Sequence, residues 1–131
     1  MGKGVNLDRH TKNKELISAL RMAMYDFSES TVRKVLDELC ISETVFRLCY
    51  PLAEKAGVDN FYMDVFAPLL WALPDLERRD TIVMAGPTKE GADWVGCCGY
   101  YTGTFSKAWL DIPPTGHQVA MRFHEFYRFE D

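Results

Sequence analysis

Apolar residues recur at helical spacing through the first half of the chain and at strand spacing through the second. From Lys14 to Phe27, Leu16, Leu20, Met24 and Phe27 fall three or four apart, with Ile17 and Ala23 widening the stripe. That spacing predicts an amphipathic helix. Ser28-Glu-Ser-Thr then interrupts it and offers an N-cap. In Thr31–Cys40, Val32, Val35, Leu36 and Leu39 make a second apolar face, opposite Arg33, Lys34, Asp37 and Glu38. Ser42–Tyr50 reads as a strand stopped by Pro51, and a third helix follows from about Val58. Its apolar stripe runs through Phe61, Tyr62, Val65, Phe66, Leu69, Leu70 and Leu73. Pro68 lies inside this stripe, lacks a backbone donor and crowds the carbonyl of Asp64, so a kink is expected there. Pro74 ends the helix, because the residue before a proline leaves the α region.

The remainder alternates with a period of two. Leu76–Ala85, Ala92–Phe105 and His117–Phe129 read as three strands. Gly96, Gly99 and Gly103 in the middle strand imply bends or bulges, as a strongly curved sheet needs. Pro113-Pro114-Thr115-Gly116 fits a tight turn, with proline second and glycine fourth. The last strand divides into Val119, Met121, Phe123, Glu125, Tyr127 and Phe129 on one face, and Ala120, Arg122, His124, Phe126 and Arg128 on the other. Helices gathered first and strands last define an α+β domain, a mostly antiparallel sheet with helices on one face.

Composition narrows the function classes. At 131 residues the chain has room for one core. It divides into a polar segment, 1–13, expected to be frayed, and a single domain over 14–131. A net charge of −4 with no Lys/Arg-rich patch argues against a nucleic-acid partner. No apolar run is long enough to span a bilayer, and no leader pattern opens the chain, so no membrane partner and a cytoplasmic location are expected. Cys40, Cys49, Cys97 and Cys98 lack the spacing of a zinc or thioredoxin motif and read as reduced, small apolar residues. Neither a metal nor a cofactor is expected.

Several motifs resemble one family. Leu73-Pro74-Asp75-Leu76, Trp94-Val95, Tyr101 to Phe105 (YTGTF), Leu110 to Gly116 (LDIPPTG), Val119, Arg122 and Phe126 to Asp131 (FYRFED) together resemble the SnoaL-like polyketide cyclases, of the nuclear transport factor 2-like superfold. The likeness covers roughly residues 15 to 131 and is most specific in the last third; where the family usually has glycine, this chain has Asp111. The resemblance implies a cone, with a curved sheet wrapped around helices and an apolar cavity at the wide end. It implies dimers formed through the outer sheet face. It also implies one more strand after the Phe-Glu-Asp, usually bearing an acid that reaches the cavity. Known members include cyclases that close a polyketide ring by aldol chemistry without metal or cofactor. Relatives with the same cone hydrolyse epoxides, isomerise ketosteroids or only bind a partner, and fold alone does not choose among them.

His124 is the leading catalytic candidate, since a histidine moves a proton near neutral pH, and the resemblance puts a cavity histidine on this strand. Arg122 shares its face and could hold a developing enolate. If that face is not the covered one, Glu125 inherits the acid role. Asp75 reads as a turn anchor or an ion-pair partner of Arg78 or Arg79. Phe46, Tyr62, Phe66, Trp71, Trp94, Tyr101, Trp109 and Phe126 are the candidate walls for a small apolar or aromatic ligand. Two readings follow. One is a cofactor-free enzyme performing cyclisation, isomerisation or hydrolysis on an apolar carbonyl compound. The other is a non-catalytic ligand-binding or dimerisation module of the same fold.

Overall fold

A computed structural model describes residues 5–130. Helix α1 (Val5–Tyr25) starts well before the apolar stripe does, inside the segment expected to be frayed. Ile17, Leu20, Ala23 and Met24 are its buried face, while Leu16, expected in that stripe, is exposed. Helix α2 (Glu29–Leu39) opens where the Ser28 carbonyl accepts the Val32 N–H at 2.9 Å, and it buries Val32 and Leu36. The strand predicted over Ser42–Tyr50 is only β1 (Val45–Arg47), paired antiparallel with β2 (Glu54–Ala56).

The bent helix has three parts: α3 (Val58–Phe61), a π turn (Tyr62–Phe66) and α4 (Ala67–Ala72). The bend expected at Pro68 takes the form of the wide turn just before it. Pro68 has no N–H to return to Asp64 and its ring crowds that carbonyl. The preceding turn is widened, and the Ala67 N–H reaches back five residues to the Tyr62 carbonyl. Leu73 leaves helical conformation (φ −122°, ψ 82°) ahead of Pro74.

Strands β3 (Glu77–Pro87), β4 (Asp93–Thr104) and β5 (Gln118–Phe129) form an antiparallel sheet in that order. A bulge at Thr81 inserts one residue between the Asp80–Gly99 and Ile82–Cys98 pairs. It reverses the alternation of β3, which is why that strand reads weakly in the sequence, and it adds curvature. Gly99 faces the bulge; a Cβ there would lie 2.0 Å from the Arg79 carbonyl oxygen, so only glycine fits. Asp75 ties the start of this sheet to its middle strand, accepting bonds from the Thr104 N–H (2.7 Å) and hydroxyl (2.8 Å). Arg9 of α1 pairs with Asp93 of β4 at 2.6 Å.

The core lies between the helices and the concave sheet face, where Val95, Cys97, Tyr101 and Phe123 meet Leu20, Met24, Phe66 and Leu69. Phe66 packs edge-on against Tyr101, and Tyr101 against Phe123, so side chains fill the hollow expected beneath the bent helix. Strand β5 buries Phe123 and turns Met121, Glu125, Tyr127 and Phe129 partly inward, while Arg122, His124 and Phe126 are exposed. The inward placement expected for Arg122 and His124 is therefore reversed. Burial explains the outcome: one face of β5 offers five large apolar or aromatic residues, the other only Phe126.

The tight turn expected at Pro113–Gly116 does not close, since the Gly116 N–H bonds to Phe105 and not to Pro113; the β4–β5 connection reverses earlier, at Leu110 and Asp111. Trp109 and Ile112 bridge one another, with Leu110 (φ 50°) and Asp111 (φ 64°) both left-handed between them. Aspartate tolerates that conformation better than most residues, which reconciles Asp111 with a position where the family usually has glycine. Gly116 (φ 75°) then sends its N–H to the Phe105 carbonyl at 2.8 Å.

Candidate functional site

Four charged groups and two phenols meet on the concave face of the sheet. Arg78 of β3 stands opposite Tyr101 of β4, and Glu125 of β5 opposite Cys97. Arg78 is 1% exposed, whereas the Glu125 side chain keeps a quarter of its surface accessible. The guanidinium is the hub. Its Nη1 donates to Glu125 Oε1 at 2.7 Å and to the Tyr127 hydroxyl at 3.2 Å. Its Nε spans both oxygens of Asp80 at 3.2 Å each. Arg21 of α1 reaches over the sheet to form an ion pair with the same aspartate, Nε to Oδ2 at 3.0 Å. The Arg78 guanidinium also lies 4.4 Å from the centroid of the Phe123 ring, a cation–π contact. Two arginines and two carboxylates cancel, and that balance is what allows this much charge to be buried.

Both phenols point at one carboxylate. Tyr101 donates to Glu125 Oε2 at 2.6 Å, and Tyr127 donates to Glu125 Oε1. Burial pushes both hydroxyls well above the ordinary tyrosine range, and the Glu125 charge pushes the same way, so both stay protonated donors. Burial presses the Arg78 guanidinium down, but Glu125, Tyr127 and Tyr101 outweigh it and hold it charged. Burial also raises the Cys97 thiol, leaving it a poor nucleophile. The result is a carboxylate fixed in place by one cation and two protonated phenols.

The residues singled out from the sequence divide among five places. Tyr101 belongs to the polar cluster, and Phe66 packs against it. Phe46 is half-buried and stacks on Phe61 of the core, ring centroids 3.9 Å apart. Tyr62 and Trp71 border a groove on the helical side, with Phe27, Leu70 and Pro74. Trp109 sits half-buried in the β4–β5 connection. Trp94, Arg122, His124 and Phe126 occupy the convex face, where Arg122 Nε donates to His124 Nε2 at 3.2 Å and Phe126 covers Gly96. Arg21, Arg78, Asp80 and Tyr127 are the cluster members that the sequence did not single out as site residues. The available signal was Glu125, an acid in the middle of the more apolar face of β5, which demands a buried cation. Among the described residues, no three His, Cys, Asp or Glu gather closely enough to hold a metal ion, and no helix is long and apolar enough to cross a membrane.

Curved antiparallel sheet, bent helix and a polar centre on the concave face define an α+β domain of the nuclear transport factor 2-like kind. The pattern characteristic of SnoaL-like polyketide cyclases matches residues 18–131, and the chain belongs to that family. Solved structures agree on the fold. A provisionally assigned SnoaL-like polyketide cyclase from Jannaschia sp. CCS1 is 22% identical, with a TM-score of 0.73 over 93% of this chain and 79% of its own. IdmH from Streptomyces antibioticus, a provisionally assigned polyketide cyclase, is 19% identical, with a TM-score of 0.70 over 90% and 83%. AclR from Streptomyces galilaeus, provisionally assigned as a hydroxylase, is 21% identical, with a TM-score of 0.69 over 93% and 69%. Among curated proteins, none matches this chain.

Proposed function

We propose that the protein is a cofactor-independent enzyme that moves a proton on a small apolar carbonyl compound, in an aldol-type cyclisation, an isomerisation or a hydrolysis. The observation that carries this reading is the partly accessible Glu125 carboxylate, bonded to Tyr101 and Arg78 on the concave face. Glu125 takes the role of general base, and a tyrosine hydroxyl donates to the oxygen that gains charge. His124 with Arg122, the pair expected from the sequence, would instead have to act on the exposed convex face, away from the donors that surround Glu125.

Proton abstraction can be tested without knowing the natural substrate. The protein is incubated with 2-tetralone in D2O, and loss of the α-proton signal is followed by NMR. Glu125→Gln is expected to lower the exchange rate by about 10²-fold or more, and His124→Ala to leave it unchanged. The reverse pattern would return the role to His124. No exchange above background with any of these proteins would favour the second reading, a ligand-binding or dimerisation module, which the side-chain filling of the cone supports.

We also propose that the working form is a cytoplasmic homodimer joined through the convex sheet face. Ile82, Met84, Tyr100 and Phe126 are exposed together on that face, and all four cysteines are free, as a reducing compartment keeps them.

A further inference from the structure

We propose that Arg21 of α1 is a positioning residue for Glu125, which it reaches through Asp80 and Arg78: its charge offsets Asp80 and so leaves the Arg78 guanidinium to Glu125. On the reading of Glu125 as the proton-moving group, helix α1 thereby takes part in setting that group's proton affinity. The four charges form one row. Arg21 Nε lies 3.0 Å from Asp80 Oδ2, Arg78 Nε donates to Asp80 at 3.2 Å, and Arg78 Nη1 donates to Glu125 Oε1 at 2.7 Å. Without Arg21, a single guanidinium would face two carboxylates; with it, the charges are even.

The contact between Arg21 and Asp80 is one of charge. Arg21 Nε is shielded from water and close to the carboxylate, yet its N–H makes no aligned hydrogen bond. A charge acts over a longer range than a directed bond does. The Asp80 side chain is only 6% exposed, so solvent cannot take the place of Arg21. Arg78 serves both carboxylates, Nε toward Asp80 and Nη1 toward Glu125, and what one draws from the guanidinium the other loses. Helix α1 also roofs this spot: the sulfur of Met24 lies 3.5 Å from Arg78 Nη1 and 3.8 Å from the Tyr101 hydroxyl. Glu125 is faced by Arg78 from β3, by Cys97 and Tyr101 from β4 and by Tyr127 along β5, with Asp80 and Arg21 behind Arg78. The Cys97 thiol registers the whole row. Burial raises it most; after that Arg78 lowers it, Asp80 and Glu125 raise it, and Arg21 lowers it. All four charges therefore lie within electrostatic reach of one point on the concave face. Arg21 keeps 31% of its side chain accessible, which makes it the member that can be replaced without opening the core.

The test follows the carboxyl carbon of Glu125 by NMR against pH in the full chain, alongside α-proton exchange of 2-tetralone. Arg21→Met leaves Asp80 to compete for Arg78, and the midpoint of the Glu125 signal is expected to rise by about half a pH unit. Asp80→Asn removes the competing charge, and the midpoint should fall. The double variant should return close to the unaltered chain. Arg21→Lys should match the unaltered chain, because charge alone is required. The pH midpoint of exchange should move in the same order. A merely structural role would lower the exchange rate in both single variants without moving the midpoints apart. An unmoved midpoint in Arg21→Met would overturn the proposal, whether or not Asp80→Asn folds. So would shifts of the same sign in the two single variants, or an Arg21→Lys protein that behaves as Arg21→Met does. Exchange absent from every protein while the carbon midpoint still shifts would overturn the enzymatic reading and leave the coupling from α1 to Glu125 standing.

Discussion

Arg78 shows how a single side chain can decide the stability of a domain. It holds Asp80 and Glu125 together in a place with little water. Replacing it with methionine keeps the bulk but leaves Glu125 without its cation and Asp80 with Arg21 alone, and the expected loss is about 3–5 kcal/mol in urea unfolding. Arg122→Ala on the convex face should cost no more than about 0.5 kcal/mol, since that side chain bonds only to exposed neighbours. The phenols make a second prediction. Tyr62, Tyr101 and Tyr127 ionise higher in the folded chain than the value near 10 of an unfolded tyrosine. Above pH ~10 the native state thus binds more protons than the unfolded one. Stability should be complete below that pH and decline steadily above it, and Tyr127→Phe should flatten the decline. Asp75 has the opposite sign. The Thr104 N–H first, and its hydroxyl second, hold its carboxyl below the ordinary range. Its contribution is present above pH ~4 and lost on acidification. Asp75→Asn should therefore flatten the acid limb of the urea midpoint plotted against pH.

The elements were largely legible in the sequence because their periods are long and regular. The stripe from Phe61 to Leu73 gave the third helix, and the position of Pro68 gave its bend; only the form of that bend, a widened turn, needed coordinates. What the sequence hid were facts of pairing. Arg78 and Glu125 lie far apart along the chain, and no local pattern says that they touch. The bulge at Thr81 blurred the alternation of β3, and with it the sign that Arg78 points inward. For β5 the burial signal was present, but the chemistry of His124 and the resemblance outweighed it, and the two faces were exchanged. Gly99 was read only as a bend marker, whereas it is the one residue type that fits against the Arg79 carbonyl oxygen. Gly99→Ala must move the backbone of either β3 or β4, at an expected cost of about 1–3 kcal/mol, measurable as a lower urea midpoint.

At the scale of the whole molecule, the two sheet faces divide the labour. The concave side holds the charge-balanced centre, and the convex side displays Ile82, Met84, Tyr100 and Phe126. With the dimer proposed above, Phe126→Glu should shift the protein to a monomer in size-exclusion chromatography while leaving α-proton exchange by Glu125 in place. A Phe126→Glu protein that elutes as the unaltered chain does would exclude this face as the interface. The bulge has a consequence of its own. Because Thr81 is an extra link with no partner across the ladder, cutting it out would leave every remaining side chain opposite its present neighbour. Such a shortened chain would keep the same pairings on a straighter saddle, and would reveal how much of the domain's chemistry depends on shape alone.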